Sequence, residues 1–324
     1  MRIRNAVLVA LAIGAVMYFG LGLVFPREDL HISVKAEALM CIGGAMDAAH
    51  PGECVSGFPI TNSLVTTIIV DLLLVLTVVF GVRRAQMVPR GFQNFIELVV
   101  GTFYDFAVGV DKKNVAKFFP FAATAFLLII LSNLLGLIPG AGSIGMCQPY
   151  AHAATAGAEG EGKHVESVYA SWPLVCDAGE KLIPYLRAPS ADLNMTLALG
   201  LISVVLIQYF GLKALGWEYL VRFFNFREGP MFTVIGIIEL ISEFIRIVSF
   251  AFRLFGNIFA GEVVLVVLAS LFPYMLPLPF YAFEVFVAAM QAIIFSVLTL
   301  VFMSMATQAH GGGHEDAEHG AAAH

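Results

Sequence analysis

The chain has 324 residues, of which 59% are hydrophobic and 13% charged, with a formal net charge of −6. A soluble domain carries about 25% charged residues. The composition therefore points away from a soluble fold and to an integral membrane protein, with helices as the spanning element. No basic patch with interleaved aromatics suggests nucleic acid. The histidines have no ligand spacing, so neither a metal nor a cofactor is expected.

Six apolar runs follow in order: 6–25, 60–82, 118–138, 194–212, 231–272 and 278–307. The first follows Arg2 and Arg4, the charge order of a signal peptide. Its length exceeds the usual ~7–15-residue apolar region, so a retained anchor is favoured over a cleaved leader. The runs divide the chain into an anchor with an outer segment (1–59), two core helices with an interfacial helix (60–138), an outer loop (139–190), a second set of core helices (191–309) and a disordered tail (310–324). With the N-terminus inside and each run crossing once, inner segments hold 11 of the 18 Lys and Arg and outer segments hold 5. That bias predicts cytoplasmic termini. Cys41, Cys54, Cys147 and Cys176 then all fall outside, where disulfides persist. Local Cys41–Cys54 and Cys147–Cys176 bridges are the simplest of the three pairings.

The segment 26–59 reads as a small disulfide-closed cap. Phe92, Phe95, Ile96, Val99 and Phe103 share one face of an amphipathic helix on the cytoplasmic interface. Asn133 is a polar group inside the next apolar run, which Pro139-Gly140 ends. The segment 139–190 is rich in Gly, Ala, His and Glu and is not expected to pack a core by itself. Asp192 and Asn194 stand at the outer mouth of the run 194–212, where the Asp serves equally well as a helix N-cap or as a channel-lining group.

The stretch 231–272 organises the rest. It contains no proline, and as one helix its 42 residues span about 63 Å, roughly twice the hydrocarbon core. It must tilt, kink or lie nearly flat. Within it lie Glu239, Glu243, Arg246, Arg253 and Glu262, and ionisable groups at that depth normally face a partner or water. Glu239, Arg246 and Arg253 are seven apart, so each shifts only ~20° from the last, and Asn257 follows by one turn. Glu262 lies on the opposite face, about 180° round. Arg cannot release a proton at working pH, whereas a carboxylate can. A fixed cation between two acid-lined regions separates two paths and attracts an ionised carboxylate on a partner. The last run is also long and places Glu284 and Gln291 on one face. Pro273, Pro277 and Pro279 force a turn before it, giving an antiparallel hairpin. Glu262 and Glu284 then share its outer half. Two neighbouring carboxyls in an apolar setting do not both ionise readily, which suits a proton relay.

The RLFGN block followed by AGE, the ending VLTLVFMSMA, and the segments NLLGLIP and PSADLNMTLALG together resemble subunit a of F-type ATP synthases. The resemblance covers about residues 60–307. It implies an all-α integral membrane protein of about six membrane-embedded helices, with a long, tilted, near-horizontal C-terminal hairpin. It also implies a non-catalytic stator subunit of the bacterial cytoplasmic membrane that lies against a ring of c subunits and meets the peripheral-stalk b subunits, other subunits and lipid. Arg253 takes the place of the family's essential arginine. Asn257, Glu262, Glu284 and Gln291 match positions lining the outer inlet; Glu239, with Arg246 as an accessory, matches the inner outlet. Asp192, Asn194 and Asn133 are further accessory positions. Many members have one His and one acid where Glu262 and Glu284 stand, and some have an acid where Gly136 stands. The segment to residue 59 and the loop 140–188 are additions to the family pattern.

A secondary transporter for a small solute is the rival class. It favours inverted repeats or broken helices at mid-membrane, whereas here no repeat is visible and the charges crowd into the last third. All eight histidines lie outside the apolar runs, which removes axial haem ligation within the bilayer.

Overall fold

A computed structural model of the chain describes residues 35–44, 46, 52–82, 91–138, 142, 144–149, 180–217, 219, 230–271 and 277–308. The first apolar run, Cys176 and the C-terminal tail lie outside the described residues.

Six helices and two small hairpins make up the described chain. Strands β1 (Ala38–Ile42) and β2 (Phe58–Thr61) pair antiparallel. Helices α1 (Asn62–Val82), α2 (Phe92–Val110) and α3 (Val115–Gly136) follow. Strands β3 (Gly145–Pro149) and β4 (Glu180–Pro184) form the second hairpin. A single 3-10 turn (Pro189–Ala191) leads into α4 (Leu193–Leu215). Helices α5 (Pro230–Leu271) and α6 (Pro277–Thr307) close the fold. The mostly helical membrane architecture expected from the sequence is present. Helices α1, α3, α4 and α6 are long and apolar enough to cross a bilayer. Within the loop 139–190 the hairpin β3–β4 is regular structure that the sequence did not suggest, and its Ile183 is fully buried.

The helix starts follow local chemistry. The Thr61 hydroxyl accepts the Leu64 N–H at 3.3 Å, an N-cap for α1. Asp111 ends α2, and its carboxylate accepts the Lys113 and Asn114 N–H groups at 3.0 and 3.1 Å, which sets the turn into α3. Proline opens both α5 and α6, where its missing N–H would have no intrahelical partner. Helix α5 runs unbroken for 42 residues.

The chain divides into two compact units. The first comprises residues 1–70, 130–193 and 255–290. It holds both hairpins and a small apolar cluster of Leu137, Ala188, Ala191, Ile258 and Ala288. The second comprises residues 71–129, 194–254 and 291–324. Its packing is aromatic: Phe103 stacks on Phe126 with ring centroids 4.8 Å apart, Phe118 meets Phe210 at 5.1 Å, and Phe250 meets Phe295 at 5.2 Å. In each unit α5 packs antiparallel on α6, through Ile258 and Ala288 in the first and through Phe250 and Phe295 in the second.

Candidate functional site: two polar clusters and Arg253

The first unit carries one cluster. Its start is the N-terminal turn of α1, whose polar residues hold the chain that leaves β4. Asn62 Nδ2 donates to the Pro184 carbonyl at 3.3 Å, Ser63 Oγ to Asp192 Oδ2 at 2.8 Å, and the Arg187 N–H to Thr66 Oγ1 at 3.2 Å. Arg187 is thereby fixed with its side chain 7% exposed. Its guanidinium donates from Nη1 to the Lys35 carbonyl at 3.1 Å and from Nη2 to Glu262 Oε2 at 3.2 Å. Glu262 remains partly open, at 40% side-chain exposure.

Glu284 enters the same cluster from α6. A side chain at Gly261 would overlap the Glu284 carboxyl, so the glycine makes room for it. Glu262 is close enough to act on Glu284 electrostatically. Glu284 is 5% exposed, and its Oε1 has no hydrogen-bond partner among the described residues. The same is true of the Tyr281 hydroxyl, one turn earlier on α6, and of both amide atoms of Asn133 on α3. Leaving such atoms dry costs about 1–3 kcal/mol each.

Two positions singled out in the sequence lie in this unit. Asp192 is buried and accepts from Ser63, which ties it to α1. A side chain at Gly136 would run into Ala188, which leaves no space for one.

The second unit carries the other cluster. Glu243 on α5 accepts from Gln208 Nε2 of α4 and from Arg246 Nη1, both at 2.7 Å. The Tyr219 hydroxyl donates to Gln208 Oε1 at 2.7 Å. The Arg246 guanidinium lies over the Phe302 ring, 4.2 Å from its centroid. Arg246, the expected accessory of the outlet, forms an ion pair with Glu243, three residues earlier on the same helix. Glu239 is half-buried one turn before Glu243.

Arg253 also belongs to the second unit and is half-buried. Its side chain makes no ion pair, hydrogen bond or ring contact among the described residues. Ser242 and Ser249, within about 40° of Arg253 round the helix, are exposed. Of the other expected residues, buried Gln291 and exposed Asn194 fall in the second unit, and exposed Asn257 in the first.

Sequence reasoning missed Arg187, Gln208 and Tyr219, and named Glu243 without a role. Glu243 and Arg246 had a usable signal in their i,i+3 spacing. Arg187 looked like one more outer cation, because only the fold buries it.

Cys41 and Cys54 form a disulfide with Cα atoms 6.0 Å apart. Cys147 is disulfide-bonded too.

Residues 64–304 match the protein family described as ATP synthase A chain. The chain is 31% identical over 251 residues to an ATP synthase subunit a of Campylobacter jejuni subsp. doylei, covering 75% of this chain and 89% of that one. It is 30% identical over 254 residues to the ATP synthase subunit a of Gloeobacter violaceus, covering 78% and 86%. The Moorella thermoacetica ATP synthase subunit a is 26% identical over 252 residues, covering 78% and 93%.

Proposed function

The chain belongs to the ATP synthase A chain family, and on that premise we propose that it is the non-catalytic subunit that carries protons past a rotating ring of small subunits. Family membership makes it an integral membrane component of an ATP synthase. The finer reading assigns it two aqueous half-channels, with Arg253 between them and facing the ring.

One observation carries this reading. Arg187 and Arg246 each have an internal carboxylate, whereas Arg253 has no charged partner among the described residues. An unpaired guanidinium in an apolar setting costs several kcal/mol. That cost is offset when a partner supplies the counter-charge. An ionised carboxylate on a ring subunit is such a partner, and the exposed small residues Ser242 and Ser249 allow its helix to come close.

The inlet is assigned to the first unit. Protons pass from outside through Glu262 and Glu284, with Asn257 completing the path in this unit, and Gln291 is a further inlet residue. The partnerless atoms of Glu284, Tyr281 and Asn133 support water there, since buried polar groups without protein partners are ordinarily hydrated. The outlet runs past Glu239 to the cytoplasm, with both termini on that side of a bacterial inner membrane. Asp192 and Asn133 border the inlet. Arg253 blocks the short circuit, because it holds its proton throughout. A membrane potential supplies ~2.3 kcal/mol per charge per 100 mV, which a leak would dissipate.

Purification from native membranes in mild detergent tests the partnership. A ring of small two-helix subunits, each bearing one membrane carboxylate, is expected to travel with the chain and with the peripheral-stalk b subunits. A complex that retains the catalytic and stalk subunits but no such ring contradicts the reading.

A further inference from the structure

The hairpin β1–β2 precedes residue 64, where the match to the family begins. The family pattern therefore assigns it no role, yet it reaches the proposed inlet. Lys35 is the point of contact, through its carbonyl to Arg187 Nη1.

That carbonyl is held from several sides. Ala36, Glu37 and Ala38 are buried immediately after it. The Glu37 carbonyl accepts the Asn62 N–H of α1 at 3.0 Å, and the Ala38 N–H donates to the Gly52 carbonyl at 2.7 Å. The Lys35 ammonium pairs with Glu53 at 3.2 Å. Gly52 has φ +88°, a backbone state that favours glycine, and a Cβ there would meet Glu37 and Ile183 at 3.2 and 3.3 Å. Gly52 and Glu53 immediately precede Cys54, which is bonded to Cys41. The disulfide thus closes the loop whose end braces the Lys35–Ala38 segment.

Arg187 completes the chain of contacts. Its backbone is fixed by Thr66, and its guanidinium is a rigid plane whose two terminal nitrogens point to two different acceptors. With Nη1 held by Lys35, Nη2 reaches Glu262 Oε2.

We propose that Arg187 is a positioning residue for the inlet acid Glu262, and that the disulfide-closed hairpin, through the Lys35 carbonyl, holds Arg187 in the pose that does this. The proposal rests on the reading that Glu262 carries protons. Arg187 itself passes none. It fixes the carboxylate relative to Glu284, and small displacements of a relay group cost much of its rate.

The test uses membrane vesicles holding the assembled complex, with ATP-driven proton pumping normalised to the amount of complex present. Arg187→Lys keeps the charge but loses the two-pronged plane, and is expected to lower pumping about ten-fold. The double variant Cys41→Ser/Cys54→Ser is expected to lower it less, about three-fold, because the pair survives with a looser support. Combined with Arg187→Lys, the cysteine changes are expected to add nothing, since both act on one geometry. A dithiol reductant, which opens the Cys147 disulfide as well, should lower pumping in native vesicles more than in vesicles of the cysteine variant. Arg187→Lys, which leaves both disulfides intact, keeps the positioning role testable if the cysteine variant does not accumulate. Native pumping in the cysteine variant, or effects that multiply in the combined variant, would overturn the proposal. Arg253→Ala run beside them separates the two claims. Silent Arg253→Ala vesicles with unaffected Arg187→Lys vesicles remove only the positioning role; pumping Arg253→Ala vesicles remove the underlying reading.

Discussion

Both units contain an arginine bound to a glutamate, and the two pairs are built differently. Arg187 and Glu262 are 75 residues apart and join a loop to α5. The arginine is 7% exposed, whereas its glutamate is 40% exposed. Arg246 and Glu243 lie three residues apart on one helix, at 22% and 15% exposure. The first pair places an acid at an opening, with a second carboxyl beside it. The second pair turns both charges inward, adds Gln208 and Tyr219, and covers the arginine with Phe302. One arrangement leaves a carboxylate able to meet water; the other consumes its charges in packing. The contrast explains why, of two acid-bearing clusters, only the first is assigned to proton uptake.

The sharpest way to break this contrast is Glu284→Gln, which keeps the shape and removes the exchangeable proton. Pumping by the assembled complex should fall on the order of 100-fold, the usual contribution of a proton-transfer group. An equal loss from Glu243→Gln would place the second cluster on the proton path and erase the distinction.

Gly136→Val should come next, acting on stability. The new side chain meets the Ala188 backbone, and overpacking of that kind costs about 1–3 kcal/mol. The measurement is the midpoint of thermal unfolding of the purified complex.

Tyr219→Phe removes the hydroxyl that binds Gln208 and should cost about 0.5–1.5 kcal/mol in the same assay. Pumping per complex should stay near native, because that hydrogen bond belongs to packing.

The smallest effect concerns Asp111, outside the spanning helices. Burial alone would raise its pKa, but hydrogen bonds from the Ser304 hydroxyl, the Asn114 backbone and side chain, and the Lys113 N–H outweigh it and hold the group below its ordinary value. The stabilisation is therefore full above the ordinary aspartate range, near pH 4, and is lost as pH falls through the lower folded value. Hydrogen exchange along α2 should quicken only under those acidic conditions. Ser304→Ala, which removes one of these donors, should move the onset to higher pH.

The helices were legible in the sequence because unbroken apolar length is a strong signal. The expected runs 231–272 and 278–307 differ by one residue at most at each end from α5 and α6. The pairing of Glu262 with Glu284 was legible as well, from the proline turn and the antiparallel register. The hairpins were harder to see: β3 and β4 are five residues each and lie 30 residues apart in the chain, too short and too distant for a periodic pattern. Arg187 was hidden for another reason. Its burial depends on Thr66, Lys35 and Glu262, three contacts that come from three distant segments. The contact of Asp192 with Ser63, 129 residues away in the chain, was hidden for the same reason.

The central claim is that the guanidinium of Arg253, which has no charged partner among the described residues, answers a ring carboxylate. ATP-driven proton pumping by vesicles carrying Arg253→Ala, with assembly verified by the amount of co-purifying complex, tests this most directly. The account predicts no pumping above background from a fully assembled complex. Pumping at a rate near the native one would contradict it.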